Sequence, residues 1–78
     1  MHAKESRITA TRLSPRQLEV LRWTAQGKTT WETSVIMRCT EATVNYHLKQ
    51  VFRKLEASNK THAVSRAFKL GLMTTNSR

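Results

Sequence analysis

The stretch "TVNYHLKQVFRKL", residues 43 to 55, carries two different kinds of side chain at helical spacing. Successive residues of an α-helix are 100° apart, so its apolar residues and its polar residues separate onto opposite sides. The apolar side contains Val44, Leu48, Val51, Leu55, Phe52 and His47. The opposite side, called here the outward stripe, contains Ala42, Asn45, Tyr46, Lys49 and Arg53. One side of this helix therefore requires a protein core, and the other requires a polar partner or solvent.

The charge of the chain points to a polyanionic partner. The 78 residues include 14 Lys and Arg against 5 Asp and Glu, which gives a formal net charge of +9. Nucleic acid, an anionic membrane surface or an acidic protein would each fit this sign. No run approaches the roughly 20 apolar residues that span a bilayer, so we expect no membrane insertion and place the protein in the cytoplasm.

Capping signals divide the rest of the chain into helices. In "LSPRQL" Ser14 can cap a helix that begins at Pro15, with Gln17 as the partner in a capping box. Thr29 and Glu32 repeat that spacing, and Gly27 can end the helix before them. Thr40 and Asn59 are the next caps. The predicted helices lie near 15–26, 30–37, 41–56 and 60–70, which makes the fold class an all-α four-helix bundle.

The predicted domain occupies residues 13–72. Residues 1–12 are interpreted as a flexible basic tail and residues 73–78 as a short polar tail. The tight connection around "RCT", between the second and third predicted helices, requires a steep crossing and predicts a helix-turn-helix.

The outward stripe has the chemistry of a major-groove reader. Asn can bond adenine through N6 and N7, Lys can donate to guanine O6 and N7, and an aromatic edge can touch the thymine methyl group. Asn45, Tyr46 and Lys49 lie in the first half of the helix, the part that a helix-turn-helix inserts. Arg53 and Lys54 lie further along, closer to phosphates. The alternative is an ordinary solvated polar face.

The segment from Leu13 to Leu72 resembles a LuxR/GerE-type helix-turn-helix domain. The resemblance rests on "LSPRQLEVLRW", "GKTTWE", "EATVNYHLKQV", "RKLEASNKTHAV" and "LGL" in the family's order and spacing, and it is strongest to quorum-sensing LuxR regulators. It implies a four-helix domain whose third helix enters the major groove and whose fourth forms a dimer.

The resemblance also implies roles for individual residues. Base contacts are implied for Asn45, Tyr46 and Lys49, and phosphate contacts for Lys28, Thr43, Lys54 and Lys60. Three residues depart from the family pattern. Thr33 stands where an apolar residue is usual, and Cys39 and Thr40 replace the commoner turn residues.

The fourth predicted helix has an apolar arc that is wider than one small core requires. We expect Val64, Ala67 and Phe68 to form a weak homodimer interface. Trp23 and Trp31 are interpreted as packing residues, with a DNA-backbone contact as the alternative for Trp31. Cys39 is interpreted as a neutral turn residue, with a redox switch as its alternative.

These features predict a transcriptional regulator that binds double-stranded DNA as a dimer. No constellation typical of an enzyme, a metal site or a cofactor site is present in the sequence, so none is expected. The alternative function is an interaction protein, a truncated LuxR-type domain that pairs with a full-length regulator or with RNA polymerase.

Overall fold

The computed structural model describes residues 12–73, and the two tails lie almost entirely outside that range. It contains four helices, named here α1 (Pro15–Ala25), α2 (Thr30–Met37), α3 (Glu41–Leu55) and α4 (Lys60–Lys69). Each begins where predicted and ends within one residue of the predicted end. No strand occurs among the described residues. The all-α prediction is confirmed.

The helix starts are fixed by the residues that the sequence indicated. Ser14 and Gln17 form a complete capping box at α1, and Thr29 and Glu32 form one at α2. The side chains of Thr40 and Asn59 accept backbone N–H groups at the starts of α3 and α4. These bonds satisfy donors that a helix leaves free in its first turn.

A residue with a positive φ follows each of the four helices. Gly27 and Gly71 have φ values of 89° and 77° after α1 and α4, as glycine allows. Arg38, before α3, and Glu56, after it, adopt φ values of 58° and 55° although neither is glycine. The turn between α2 and α3 is therefore closed by a residue in a conformation that side chains usually avoid.

The inward side of α3 supplies both halves of the core. One cluster contains Val20, Met37, Val44 and Leu48, and the other contains Leu21, Val51, Leu55, Ala63, Ala67 and Met73. Phe52 packs against both. The predicted apolar side of α3 is confirmed, because Val44, Leu48, Val51 and Leu55 are all buried and Phe52 and His47 are half-buried.

The core extends beyond the predicted end of the domain. The sequence pattern places Met73 in the polar tail, but Met73 is only 7% exposed and belongs to the core cluster that contains residues of α3 and α4. The left-handed Gly71 turns the chain after α4, and Met73 follows that turn into the core.

Candidate nucleic-acid interface

The outward stripe is exposed along its whole length. Ala42, Asn45, Tyr46, Lys49 and Arg53 are all exposed, and Tyr46 retains 59% of its surface. Within residues 12–73 no hydrogen bond or ion pair occupies the side chains of Asn45, Lys49 or Arg53. Their polar groups are therefore available to an external partner.

The first turn of α3 holds the polar end of this surface in place. The Thr40 hydroxyl accepts the Thr43 N–H at 3.0 Å, and the two hydroxyls lie 3.0 Å apart. Tyr46 is steadied from the side by His47, whose ring lies 5.7 Å away in an edge-to-face arrangement. The Nδ1 atom of His47 is buried without a partner among the described residues.

The start of α4 lies beside the outward stripe. Asn45 and Lys49 line a shallow depression together with Asn59 and Lys60. Lys60 and Lys28 also line a groove between the end of α1 and α4. The structure thus brings Lys28 and Lys60, two of the predicted phosphate contacts, to one groove, and Lys60 also lies beside Asn45 and Lys49.

Lys54 differs from the other predicted phosphate contacts. Its ammonium group donates to the side-chain oxygen of Gln17 at 2.9 Å and to the backbone carbonyl of Arg12 at 3.0 Å. The charge is therefore directed toward the start of α1. No pattern in the sequence indicates this contact, because the two partners of Lys54 lie 37 and 42 residues away from it.

The predicted dimer residues do not share one exposed surface. Ala67 is fully buried, so its side chain belongs to the core. Val64 is half-buried, and Phe68 is 39% exposed. Val64 and Phe68 line the groove against Thr24 and Ala25 at the end of α1. A partner at this position would contact these two residues and not Ala67.

An apolar surface on α2 was missed by the sequence analysis. Trp31 is 61% exposed, so its interpretation as a packing residue is wrong. Val35 and Ile36 are 56% and 41% exposed. These three residues are called here the α2 surface. Trp23, by contrast, packs against the core as predicted, and its Nε1 atom is buried without a partner among the described residues.

The departures from the family pattern are accommodated by local hydrogen bonds. Thr33 is 1% exposed, and its hydroxyl donates to the Thr29 carbonyl at 2.9 Å. The buried Ser34 hydroxyl donates to the Trp31 carbonyl at 2.7 Å. Thr40 acts as a cap, and Cys39 is half-buried against the core. The turn therefore packs closely despite its unusual residues.

The electrostatics of the α2 start favour an ionised carboxylate. Glu32 accepts the Thr29 N–H at 2.8 Å, and this bond is the main reason that the pKa of Glu32 lies below its ordinary value. Burial opposes the shift, while the Thr29 hydroxyl and the charge of Lys28 add to it.

Within residues 12–73 no group of three or more His, Cys, Asp and Glu is placed to hold a metal ion. None of the four helices is long and apolar enough to cross a bilayer.

Comparison with known proteins identifies the family. Residues 11–67 match the family described as "Bacterial regulatory proteins, luxR family". The chain is 54% identical over 66 residues to the HTH-type quorum sensing-dependent transcriptional regulator RpaR of Rhodopseudomonas palustris, a match that covers 85% of this chain and 27% of the relative. It is 46% identical over 61 residues to the HTH-type quorum-sensing regulator RhlR of Pseudomonas aeruginosa, covering 78% of this chain and 25% of the relative.

A solved structure shows the same fold. The response regulator ChrA of a heme-sensing two-component system superposes with a TM-score of 0.77 and 32% identity, over 80% of this chain and 31% of that one. The chain thus spans about a quarter to a third of these proteins. The matched family is described as regulatory proteins, and the relative RpaR as a transcriptional regulator. The chain belongs to the luxR family of bacterial regulatory proteins.

Proposed function

We propose that this domain binds double-stranded DNA sequence-specifically by inserting α3 into the major groove. The observation that carries the proposal is the division of α3: its apolar side is buried, and the side chains of Asn45, Tyr46 and Lys49 are exposed. In this arrangement Asn45 pairs with adenine, Lys49 donates to guanine, and Tyr46 touches a thymine methyl group.

Phosphate contacts surround the base contacts in this proposal. Lys28 and Lys60 line the groove between α1 and α4, Thr43 lies in the first turn of α3, and Arg53 is the last residue of the outward stripe. They position α3 but read no sequence. The formal charge of +9 supports this, because release of counterions from DNA supplies much of the affinity of basic domains. Function on DNA inside the cell also implies the cytoplasm as the location.

The decisive experiment compares Lys49→Ala with Arg53→Ala. Lys49→Ala should cost roughly 1 to 3 kcal/mol on the preferred site and less on a scrambled site, because a base contact is lost. Arg53→Ala should weaken both sites equally and lower the slope of log affinity against log salt by about one per subunit. Titrations of both variants at several salt concentrations measure this. Equal weakening of both sites by Lys49→Ala would contradict base reading.

We further propose that two copies bind a two-fold symmetric site through α4. Val64 and Phe68 offer a small apolar patch, far below the area of a permanent interface. Pairing should therefore be weak alone and promoted by DNA that holds two copies roughly 34 Å apart. Sedimentation with and without a palindromic duplex tests this, with Phe68→Glu as the variant. A tight dimer without DNA, or one copy per palindrome at saturation, would contradict it.

The α2 surface favours a second candidate function, a protein interaction. Trp31, Val35 and Ile36 are large apolar residues that no other part of the described structure covers. Such a surface suits a contact with RNA polymerase or with a full-length regulator of the family.

Two variants separate the candidate functions. Trp31→Ala should abolish binding to purified RNA polymerase or to the full-length regulator and leave DNA affinity unchanged, whereas Lys49→Ala should do the reverse. If Trp31→Ala weakens DNA binding and neither protein binds the domain, the interaction hypothesis fails.

A further inference from the structure

The C-terminal end of α3 is tied to the start of the domain by Lys54. Although the residue as a whole is exposed, its ammonium donates to the Gln17 side-chain oxygen and to the Arg12 carbonyl, at 2.9 and 3.0 Å. A hydrogen bond from a charged donor is roughly twice as strong as a neutral one. This contact joins segments that are otherwise distant in the sequence.

The side-chain oxygen of Gln17 accepts a second hydrogen bond besides the one from Lys54. It also accepts the Ser14 N–H at 2.9 Å, which completes the capping box of α1. Gln17 is 9% exposed, so its carbonyl oxygen sits where an unsatisfied group would be costly. Lys54 therefore contacts the same atom that fixes the first turn of α1.

A second cation, from α4, bonds to the same end of α3. The Nε atom of Arg66, on α4, donates to the carbonyl of Leu55, one of the carbonyls that a helix end leaves without a partner. The last turn of α3 is thus held to α1 by Lys54 and to α4 by Arg66.

Arg53 provides the contrast, since it is the residue before Lys54 and carries the same charge. Arg53 points outward, and no side-chain partner occurs for it within the described part of the chain. A step of 100° along the helix separates a cation open to DNA from one that is bonded inside the domain.

We propose that Lys54 is a positioning residue that fixes α3 against the start of α1, and that its charge is used inside the domain and not on a DNA phosphate. It fixes the angle at which Asn45 and Lys49 approach the major groove of DNA. It also holds the backbone at Arg12, just before α1. The part of this proposal that concerns DNA rests on the proposed function, and the part that concerns folding does not.

The first test measures salt dependence for Lys54→Ala beside Arg53→Ala. Arg53→Ala should lower the salt slope by about one per subunit. Lys54→Ala should leave the slope unchanged and weaken the specific site by about threefold to tenfold, with a smaller effect on the scrambled site, because it loosens the positioning of Asn45 and Lys49. A slope that falls by about one for Lys54→Ala as well would overturn the proposal and restore Lys54 as a phosphate contact.

The second test needs no DNA and uses thermal unfolding of four chains: wild type, Lys54→Ala, Gln17→Glu and the double variant. Loss of the Lys54 bond should lower Tm by about 4 to 8 °C. Gln17→Glu should raise Tm more when Lys54 is present than when it is alanine, because only then does the carboxylate gain a cationic partner. Additive changes in the double variant would show that the two side chains are not coupled and would overturn the proposal.

The two tests fail in different ways. If the wild-type domain binds no DNA sequence-specifically, the proposed function fails, while the unfolding cycle still decides whether Lys54 and Gln17 are coupled. If DNA binding is specific but the cycle is additive, the proposed function stands and the role of Lys54 does not.

Discussion

The two helices of the helix-turn-helix distribute their side chains in opposite ways. α3 buries Val44, Leu48, Val51 and Leu55 and exposes amide, phenol and cationic groups. α2 buries Thr33, Ser34 and Met37 and exposes Trp31, Val35 and Ile36. Burial in α3 follows hydrophobicity, whereas burial in much of α2 opposes it.

Local hydrogen bonding explains how α2 can bury polar residues and expose apolar ones. The hydroxyl of Thr33 donates to the carbonyl of the capping residue Thr29, and that of Ser34 donates to the Trp31 carbonyl, so both side chains enter the core without leaving a donor unpaired. Both residues are small, which lets α2 approach the rest of the domain closely. A helix can therefore bury polar residues at little cost when their partners lie one turn away.

The largest expected effect is a loss of folding stability, which should differ between an apolar residue of α3 and one of α2. Leu48→Ala should destabilise the domain by roughly 2 to 5 kcal/mol, because it leaves a cavity in the core. Val35→Ala should change stability by less than about 0.5 kcal/mol, because Val35 is 56% exposed. Urea denaturation of both variants gives the comparison. A large cost for Val35→Ala would mean that the α2 surface is covered in solution.

An intermediate effect is expected at Thr33. Thr33→Val keeps the shape of the side chain and removes the hydroxyl, while the Thr29 carbonyl still accepts the Thr33 N–H at 2.9 Å. The variant should be equal to the wild type or more stable by up to about 1 kcal/mol. Thr33→Ala, which also loses a methyl group, is the control and should be less stable than the wild type. A Thr33→Val variant clearly less stable than the wild type would show that the hydroxyl itself is needed.

The smallest expected effect is the pH dependence of folding stability that comes from Glu32 at the start of α2. Since the pKa of Glu32 is lowered in the folded state, its contribution to stability is present at neutral pH and is lost as the pH falls through that lowered pKa. Glu32→Gln should retain the capping bond and remove this acid-range loss, as Gln17 does in the box of α1. Thermal unfolding of both proteins between neutral and acidic pH measures it, and identical pH profiles would contradict it.

Much of the fold could be predicted because its determinants are local. Ser14, Thr29, Thr40 and Asn59 cap helices through bonds to residues three positions ahead, and such spacings are visible in a sequence. The inward side of α3 was equally visible, because its apolar residues repeat at helical spacing along 15 residues.

The remaining features depend on partners that are distant in the sequence. α2 has only 8 residues, too few for its apolar content to define a side, so the exposure of Trp31 could not be predicted. Counting charges could not show that Lys54 contacts Gln17 rather than solvent, since that contact exists only once α1 and α3 have packed. The roles of Asn45, Tyr46 and Lys49 on DNA stay predictions.

The left-handed conformations of Arg38 and Glu56 have a consequence for sequence variation. At both positions the backbone should accept glycine without strain and asparagine with little, whereas a β-branched residue would force the turn open. Differences at these positions among relatives would therefore reflect which residues the turn can accept, and not a change in the DNA sequence that is bound. To redirect the domain to a new DNA sequence, residues of the outward stripe should be varied. Positions 38 and 56 should be chosen only for their fit to the left-handed turn.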